Sequence, residues 1–483
     1  MGGRDDYKFL SIRDAYSSIN QKVNLIGIIL EFGFPKRTKG TDYCCALRII
    51  DETHHQTGMA VNIFAENAEK LPHVAAGGDI IQLCNVTVKK HCGEVNAVFN
   101  KKYSSFALYK GEDGDDVSPY QVSSKFLPRD EDEVFIVNLR KWLGSFELRE
   151  DSSDFPVLRE VKEGHTNLAC KILHCCEVAQ DEWFIFVWDG TDMPSNDICS
   201  KLEDEMNCPL PLRPEPLPLP RELLCTLPTV GSILRITFDI GINKNYLHLL
   251  PIGKWIKFVN MRLEVHAGLW HGVFTPFTKL RYTPNGDCLA VECQRLYDER
   301  ISLETGRMPS WSLPMSSCIT EVNYDHVPHV TLMDVLTHSE VTAKFKCVVR
   351  VVAVLPCQAE SLRSPDGTYR MRLTLEDPTA RIHAFVLGED GETLFDGYPD
   401  NENLTRKLDR LLGVTDYDDN IGAKDTPRNP PWVSLCLKSY YVSKSDLWGC
   451  RHFRIFDTRI VEDVTDYLTH DVFRNAQVFL WKE

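Results

Sequence analysis

The chain has 483 residues, room for about three domains at roughly 150 residues each. With 43% hydrophobic and 25% charged residues it has the composition of a folded globular protein, which excludes wholesale disorder, and no run approaches the roughly 18 consecutive apolar residues that a membrane span needs. The net charge of −15 argues against a nucleic-acid partner only as a sum: residues 1–110 carry 14 Lys and Arg against 11 Asp and Glu, whereas residues 111–160 carry 6 against 13.

The opening MGGRDDYKFL has no apolar segment of the signal-peptide kind, and Asp6 stands where myristoylation of Gly2 would want Ser or Thr. KVNLIGIILEFGF (22–34) reads as a long strand whose interior Gly27 suggests a bulge or a sharp coil. The basic loop PKRTKGTD (35–42) follows, then strands YCCALRIID (43–51) and GMAVNIF (58–64), a short helical pattern AENAEKLP (65–72), and strands at 78–91 and 95–111. Five strands with one helix between the third and the fourth is the order of an OB-fold, a five-stranded Greek-key barrel. VFIVNLRKWLGSFE (134–147) has helical apolar spacing, with Trp142 on its packed face.

A second strand-rich block begins near 152. HTNLACKILHCCEV (165–178) and DEWFIFVWDGTDMP (181–194) read as a strand pair turning at Asp189–Gly190. MNCPLPLRPEPLPLP (206–220) holds six prolines and favours an extended, semi-rigid insert within that domain. Strands at 231–240, 245–265 and 271–284 complete a second barrel-like set, and RMPSWSLPMSS (307–317) reads as a linker. The third block has a short helix at 331–341, strands at 343–357, 368–388, 433–443 and 450–463, and an amphipathic helix at 402–413 ended by Gly413. The fold expected is mainly β: tandem OB-folds with short helices, three barrel-like domains at 1–148, 152–300 (with the Pro-rich insert 206–220) and 322–483.

No phosphate loop, nucleophile elbow, metalloprotease helix or dinucleotide fingerprint is present, so no enzyme is expected. The 17 cysteines form no CxxC and sit mostly in apolar runs, so buried reduced thiols are expected, and TDYDDN (415–420) reads as an acidic surface loop. No cofactor and no metal site are expected.

Single-strand binding is better supported. An OB barrel holds oligonucleotides on an exposed strand face and two loops, with cations for phosphates and aromatic faces for bases. Lys36, Arg37 and Lys39 lie in the loop between the first two strands. Gly40 lets a nucleotide approach the backbone, and Thr41 and Asp42 have hydrogen-bonding groups for base edges. Phe64 and Tyr43 are candidate stacking platforms, Phe64 being equally well read as a core aromatic; Lys89, Lys90 and His91 end the fourth strand near the same groove.

FPKRTKGTDY (34–43) followed by NIF (62–64) resembles the first OB-fold of the protection-of-telomeres family, FVWDGT (186–191) its second, and residues 432–464 the end of its C-terminal domain. Length and the lack of a long insert resemble the plant branch. The resemblance implies a nuclear, chromosome-end protein that binds the G-rich telomeric single strand, caps the 3′ end and regulates telomerase access, with telomerase or other telomere proteins on the C-terminal domain. It implies contacts from Thr38, Lys39, Gly40, Thr41, Asp42, Tyr43 and Phe64, and from Asp239 and Arg262 in the second barrel. Glu31 stands where vertebrate members stack an aromatic and is expected to repel phosphate. His91 replaces another aromatic, His165–Thr166 an aromatic pair, and Cys357 alone remains near a vertebrate zinc site. Those departures keep open a second reading, a telomere-protein scaffold with weak DNA affinity.

Overall fold

The computed structural model describes residues 8–461, apart from 92, 113, 115, 147–153, 241, 243–246, 248, 285, 303–316, 325, 326, 328 and 415–426. The acidic stretch 415–420 and nearly all of the expected linker 307–317 therefore lie outside the described residues. The chain divides into two compact units, one of residues 1–194, 233–264 and 270–299, the other of 195–232, 265–269 and 300–483.

In the first unit, β1 (Lys22–Gly33), β2 (Tyr43–Asp51), β3 (His54–Ala65), β4 (Ile80–His91) and β5 (Glu94–Phe99) close a barrel. β1 pairs antiparallel with β2 and β4, β2 with β3 and β4 with β5, while β3 and β5 run parallel. Ile49, Val61, Ile63, Ile81, Leu83, Val86 and Ala97 fill it, all fully buried; a buried Ile, Val or Leu contributes roughly 1.5–3 kcal/mol. The bulges of β1 lie at Val23–Leu25 and Ile29–Glu31, to either side of Gly27. Gly27 serves close approach instead: a Cβ there would come within 2.9 Å of the Ile50 carbonyl oxygen. The helical pattern before Pro72 is one 3-10 turn, Ala68–Lys70. Helix α1 (Glu133–Ser145) buries Ile136 and Leu139 against Phe9, Ile26 and Tyr109, and Trp142 packs on the same cluster.

The second barrel consists of β6 (Gly164–Ala179), β7 (Glu182–Trp188), β8 (Leu234–Phe238), β9 (Trp255–His266) and β10 (Leu269–Phe274), closed by pairing of β6 with β9. β11 (Lys279–Arg281) pairs with β9 on one side and with Glu31–Gly33 of β1 on the other, joining both barrels in one sheet. Helix α2 (Cys288–Ser302) sets Tyr297 5.1 Å from Trp188, between ring centroids. Its first turn is held by Asp287, which accepts from the Ala290 amide at 2.9 Å and pairs with Lys257 at 2.6 Å, both side chains being 2% exposed.

In the second unit, α3 (Leu332–Thr337) precedes β12 (Lys344–Leu355), β13 (Arg370–Glu376) and β14 (Arg381–Leu387). Helices α4 (Glu389–Phe395) and α5 (Asn401–Leu412) follow, then β15 (Val433–Tyr441) and β16 (Arg451–Phe456), which complete a third closed barrel. α5 lays Leu404, Leu408, Leu411 and Leu412 into the core, and Gly413 ends it at φ 68°.

The Pro-rich stretch, read from sequence as an insert of the second barrel, makes its contacts in this unit. Ile198 and Leu210 pack on Val352 and Ala353, and Ile198 exchanges backbone hydrogen bonds with Arg428 at 2.7 and 3.0 Å. The Glu205 carboxylate accepts from Arg372 at 2.6 Å, from Thr374 at 3.3 Å and from the Leu210 amide at 2.7 Å. Arg221 donates to the carbonyls of Leu336, Thr337 and His338 at 3.1, 3.0 and 2.7 Å, satisfying the open end of α3. Proline has no amide hydrogen for a ladder, so carbonyls and side chains hold the segment.

A three-residue motif recurs at the end of the second strand of every barrel: Asp51–Thr53, Asp189–Thr191 and Asp377–Thr379. One carboxylate oxygen accepts from the threonine amide and hydroxyl, at 2.6–2.9 Å in all three. The other accepts from the amide of Ile12, Leu158 or Leu332 at 2.7, 2.6 and 2.7 Å. The threonine oxygen takes the next amide, of Arg13, Arg159 or Met333. Each hairpin thereby clamps the segment leading into its own first strand. Burial pushes the carboxyls of Asp189 and Asp377 up, the latter to about 6.

The thiols differ from expectation in burial. Among the described cysteines none is in a disulfide, but Cys199, Cys208, Cys225, Cys288 and Cys318 are exposed, because they lie in loops, the Pro-rich segment and a helix surface rather than in strand interiors.

Candidate nucleic-acid interface

Strand alternation sends Ala60, Asn62 and Phe64 of β3 to the outer face of the first barrel and Val61 and Ile63 into the core. Register then builds rows across the barrel: Glu31, Arg48, Ala60, Asn96 and Lys89 in one, Ala46, Asn62, Val98 and Thr87 in the next, Cys44 beside Phe64 in a third. Phe64 is half-buried on this open face, so the core-aromatic alternative does not hold.

The basic loop rises from the same edge. Lys36–Arg37 form a short strand against Tyr43–Cys44, and the turn is closed by Thr38, whose amide and hydroxyl both donate to the Asp42 carbonyl, at 2.9 and 2.7 Å. The Gly40 amide donates to the Thr38 hydroxyl at 3.3 Å, leaving Lys39, Gly40 and Thr41 exposed at the tip. Asp42 receives Lys101 at 3.0 and 2.9 Å on its two oxygens. Lys89, Lys90 and His91 are exposed at the end of β4.

Three expected placements differ. Tyr43 is paired with Ala65, one register step from the Cys44–Phe64 pair, so it leaves the sheet on the face opposite Phe64 and the two rings form no common platform. Lys36 sits with its ammonium 3.7 Å from the ring centroid of Phe277, and burial there pulls its pKa down. Glu31 offers no charge to a phosphate: it is 4% exposed and ion-paired with Lys279 at 3.3 Å, Arg48 at 3.5 Å and Arg281. Burial alone would raise its pKa, but those three cations outweigh it and hold the carboxyl below its ordinary value.

In the second barrel the carboxylate of half-buried Asp239 accepts from the adjacent Ile240 amide at 2.8 Å. Arg262 pairs with Glu264 at 2.8 Å, which also meets His271 at 3.3 Å. No contact among the described residues joins Asp239 to Arg262. His165 is exposed, opposite Arg262 in the register.

The first barrel thus has an open strand face with one aromatic, flanked by a cationic turn and lysines. Over the whole chain, Protection of telomeres protein 1b of Arabidopsis thaliana is 42% identical across 467 residues, covering 95% of this chain and 98% of its own. This chain belongs to the protection-of-telomeres family. Protection of telomeres protein 1a of the same plant is 36% identical over 479 residues, covering 95% of this chain and 99% of its own, and the Homo sapiens protein is 24% identical over 261 residues, 52% of this chain and 38% of its own. The family model for telomeric single-stranded-DNA-binding POT1/CDC13 matches residues 3–153, and that for POT1A-like OB-fold domains matches 315–446. Among solved structures, fission yeast Pot1 with single-stranded DNA aligns at 14% identity and a TM-score of 0.27, over 61% of this chain and 96% of that one. The protection-of-telomeres match over 3–153 spans the strands and loop just described.

Lys101 and Phe277 escaped the sequence reading. Lys101 lies 59 residues from Asp42, in the loop after β5; the pair KK at 101–102 was the available signal. Phe277 is brought beside Lys36 by a strand pairing that no local pattern shows. Among the described residues no three His, Cys, Asp or Glu gather as a metal site.

Proposed function

We propose that this chain binds the G-rich single strand of telomeric DNA on the outer face of its first barrel, protects chromosome 3′ ends and regulates telomerase access, without catalysis, in the nucleus. The observation that carries this reading is the half-buried Phe64 on an open strand face beside the cationic turn 36–43. Lys39, Lys89 and Lys90 supply phosphate contacts, Phe64 a stacking face, and Asp42, Thr41 and the Gly40 backbone the base-edge contacts. The relatives' names and the family description support the telomeric assignment. Tyr43, Lys36, His91, Asp239 and Arg262 take secondary places, from their pairing and orientation.

The test is anisotropy of a labelled G-rich telomeric strand against its C-rich complement and a scrambled strand, at fixed salt. Selective binding that Asp42→Ala and Phe64→Ala abolish supports the reading, and equal, weak binding to all three strands overturns it.

A scaffold role belongs to the second unit. There Glu205 and the Pro-rich segment already engage Arg372 and Thr374 on the strands of the third barrel, which favours protein partners, including telomerase or other telomere proteins, over DNA on that barrel.

A further inference from the structure

Where the Pro-rich segment meets the third barrel, four arginines face few anions. Arg350 donates to the Asn196 carbonyl at 2.7 Å and Arg381 to the Pro211 carbonyl at 3.1 Å, Arg372 pairs with Glu205, and Arg428 bridges Ile198. The carboxylates bonded to this group are Glu205 and Glu376, with exposed Asp197 near Arg350. Arg428 is 7% exposed; its Nη2 donates to the Val352 carbonyl at 3.0 Å, but its Nη1 is buried without a hydrogen-bond partner among the described residues. Burial, with the Arg350 cation beside it, pulls its pKa down to about 10, which Glu205 only partly offsets. Half-exposed Ser200 lines one small cavity with Arg428, and Lys201, Asp204, Glu205 and Cys208 stand on the same walls. Because Ile198 is bridged to Arg428, Ser200 lies two residues, at most about 7 Å of chain, from that contact. The Ser200 hydroxyl is not engaged: Ser200-x-x-Glu203 has capping-box spacing, yet the 3-10 turn Leu202–Met206 takes Lys201 as its N-cap and has no side-chain cap bond. Glu203 and Asp204, three and four residues after Ser200, are exposed.

We propose that Ser200 is a phosphorylation site for an acid-directed protein kinase, and that its phosphate pairs with Arg428 and fastens the Pro-rich segment to the third barrel. The acidic residues after the serine are the charge pattern such a kinase reads. The kinase transfers the γ-phosphoryl group of ATP: the Ser200 Oγ–P bond forms, the bond from the γ-phosphorus to its bridging oxygen breaks, ADP leaves, and the hydroxyl proton passes to the kinase's base. The product is a near-dianion with three acceptor oxygens, which is what a buried guanidinium with an unused N–H calls for. Asp204 and Glu205 oppose it across the cavity, but Glu205 is already engaged by Arg372, Thr374 and the Leu210 amide.

The test treats the folded full chain with an acid-directed serine/threonine kinase and ATP, maps the phosphate by mass spectrometry and titrates it by phosphorus NMR. Phosphate is expected at Ser200 and absent from that peptide in Ser200→Ala. Glu203→Lys is expected to slow labelling about tenfold, since a like charge then meets the kinase's basic site. In the folded protein the second pKa of the phosphate should lie below about 5, at least one unit under its ordinary value of about 6, because a guanidinium stands against it. Unfolding the same phosphoprotein in urea should return it to about 6, a comparison that needs no variant. Arg428→Gln, where thermal unfolding shows it folded, should return it likewise. A folded chain left unlabelled at Ser200 overturns the proposal. So does a phosphate whose pKa in the folded protein is about 6 or higher, since it would then face solvent or the carboxylates rather than Arg428.

Discussion

Asp42 and Lys101 form a two-pronged ion pair that ties the loop before β2 to the loop after β5, with distances of 3.0 and 2.9 Å to the two carboxylate oxygens. Oδ1 also accepts from the Thr41 hydroxyl at 3.4 Å, so Oδ2 keeps a lone pair for a base donor, while the lysine fixes the carboxylate's direction and offsets its charge toward the phosphates. Asp42→Ala should weaken a guanine-bearing strand by about 1–3 kcal/mol more than a scrambled one. Lys101→Ala should weaken every strand, because an uncompensated carboxylate then faces the backbone. In the double variant the losses should depart from additivity by about 0.5–3 kcal/mol, read from a double-mutant cycle of dissociation constants. Strict additivity would count against the pair acting as a unit.

Lys39 and Lys89 are exposed and make no ion pair among the described residues. Lys39→Ala and Lys89→Ala should lower affinity for all sequences alike and reduce the slope of log affinity against log salt by about one each. Titrations at several salt concentrations check this. A sequence-selective loss would reassign the residue to base contact.

Glu31 is the buried anion for three cations, two of them on β11. Glu31→Gln should destabilise the first unit by about 3 kcal/mol, the order expected when one member of a buried pair is removed. Its folded pKa lies below the unfolded one, so its contribution is complete at neutral pH and is lost as pH falls through the acidic side of the usual glutamate range near 4. Chemical unfolding of wild type and variant at pH 7 and pH 3 should show the gap narrowing at the lower pH. A constant gap would mean the ion pairs contribute nothing.

Asp377 behaves in the opposite sense. Burial raises its carboxyl to about 6, above the ordinary aspartate value, so ionising it costs the folded state. Its net contribution is most favourable below about pH 4 and declines as pH rises from about 4 to about 6, by about 3 kcal/mol in all. Against Asp377→Asn, which does not titrate, wild-type stability should gain as pH falls from 7 to 4.5. Parallel pH profiles would show that the carboxyl titrates normally.

The strands of the first barrel were legible because alternation and the loop composition both act locally. So was the placement of Phe64 next to the basic turn, since one hairpin connects them. What stayed hidden depends on non-local pairing. β11 carries the counterions of Glu31 to it across the sheet, so a residue read as repelling phosphate turns out neutralised. Tyr43 and Phe64 share a hairpin, yet a single register step puts them on opposite faces. The Asp-x-Thr clamp was written three times in the sequence, but only as two polar letters in a turn; its meaning is the amide it grips, between 31 and 45 residues away.

The passage of residues 195–232 into the second unit has a practical outcome for anyone dissecting the molecule. Cutting near residue 300 strands Ile198, Leu210 and Glu205 without Val352, Ala353 and Arg372, whereas a fragment from 322 onward leaves those barrel residues bare. Neither half keeps both sides of this packing. A premature stop after the second barrel therefore leaves Ile198 and Leu210 without their apolar partners, and loss of the C-terminal portion is expected to reach abundance before it reaches partner recruitment.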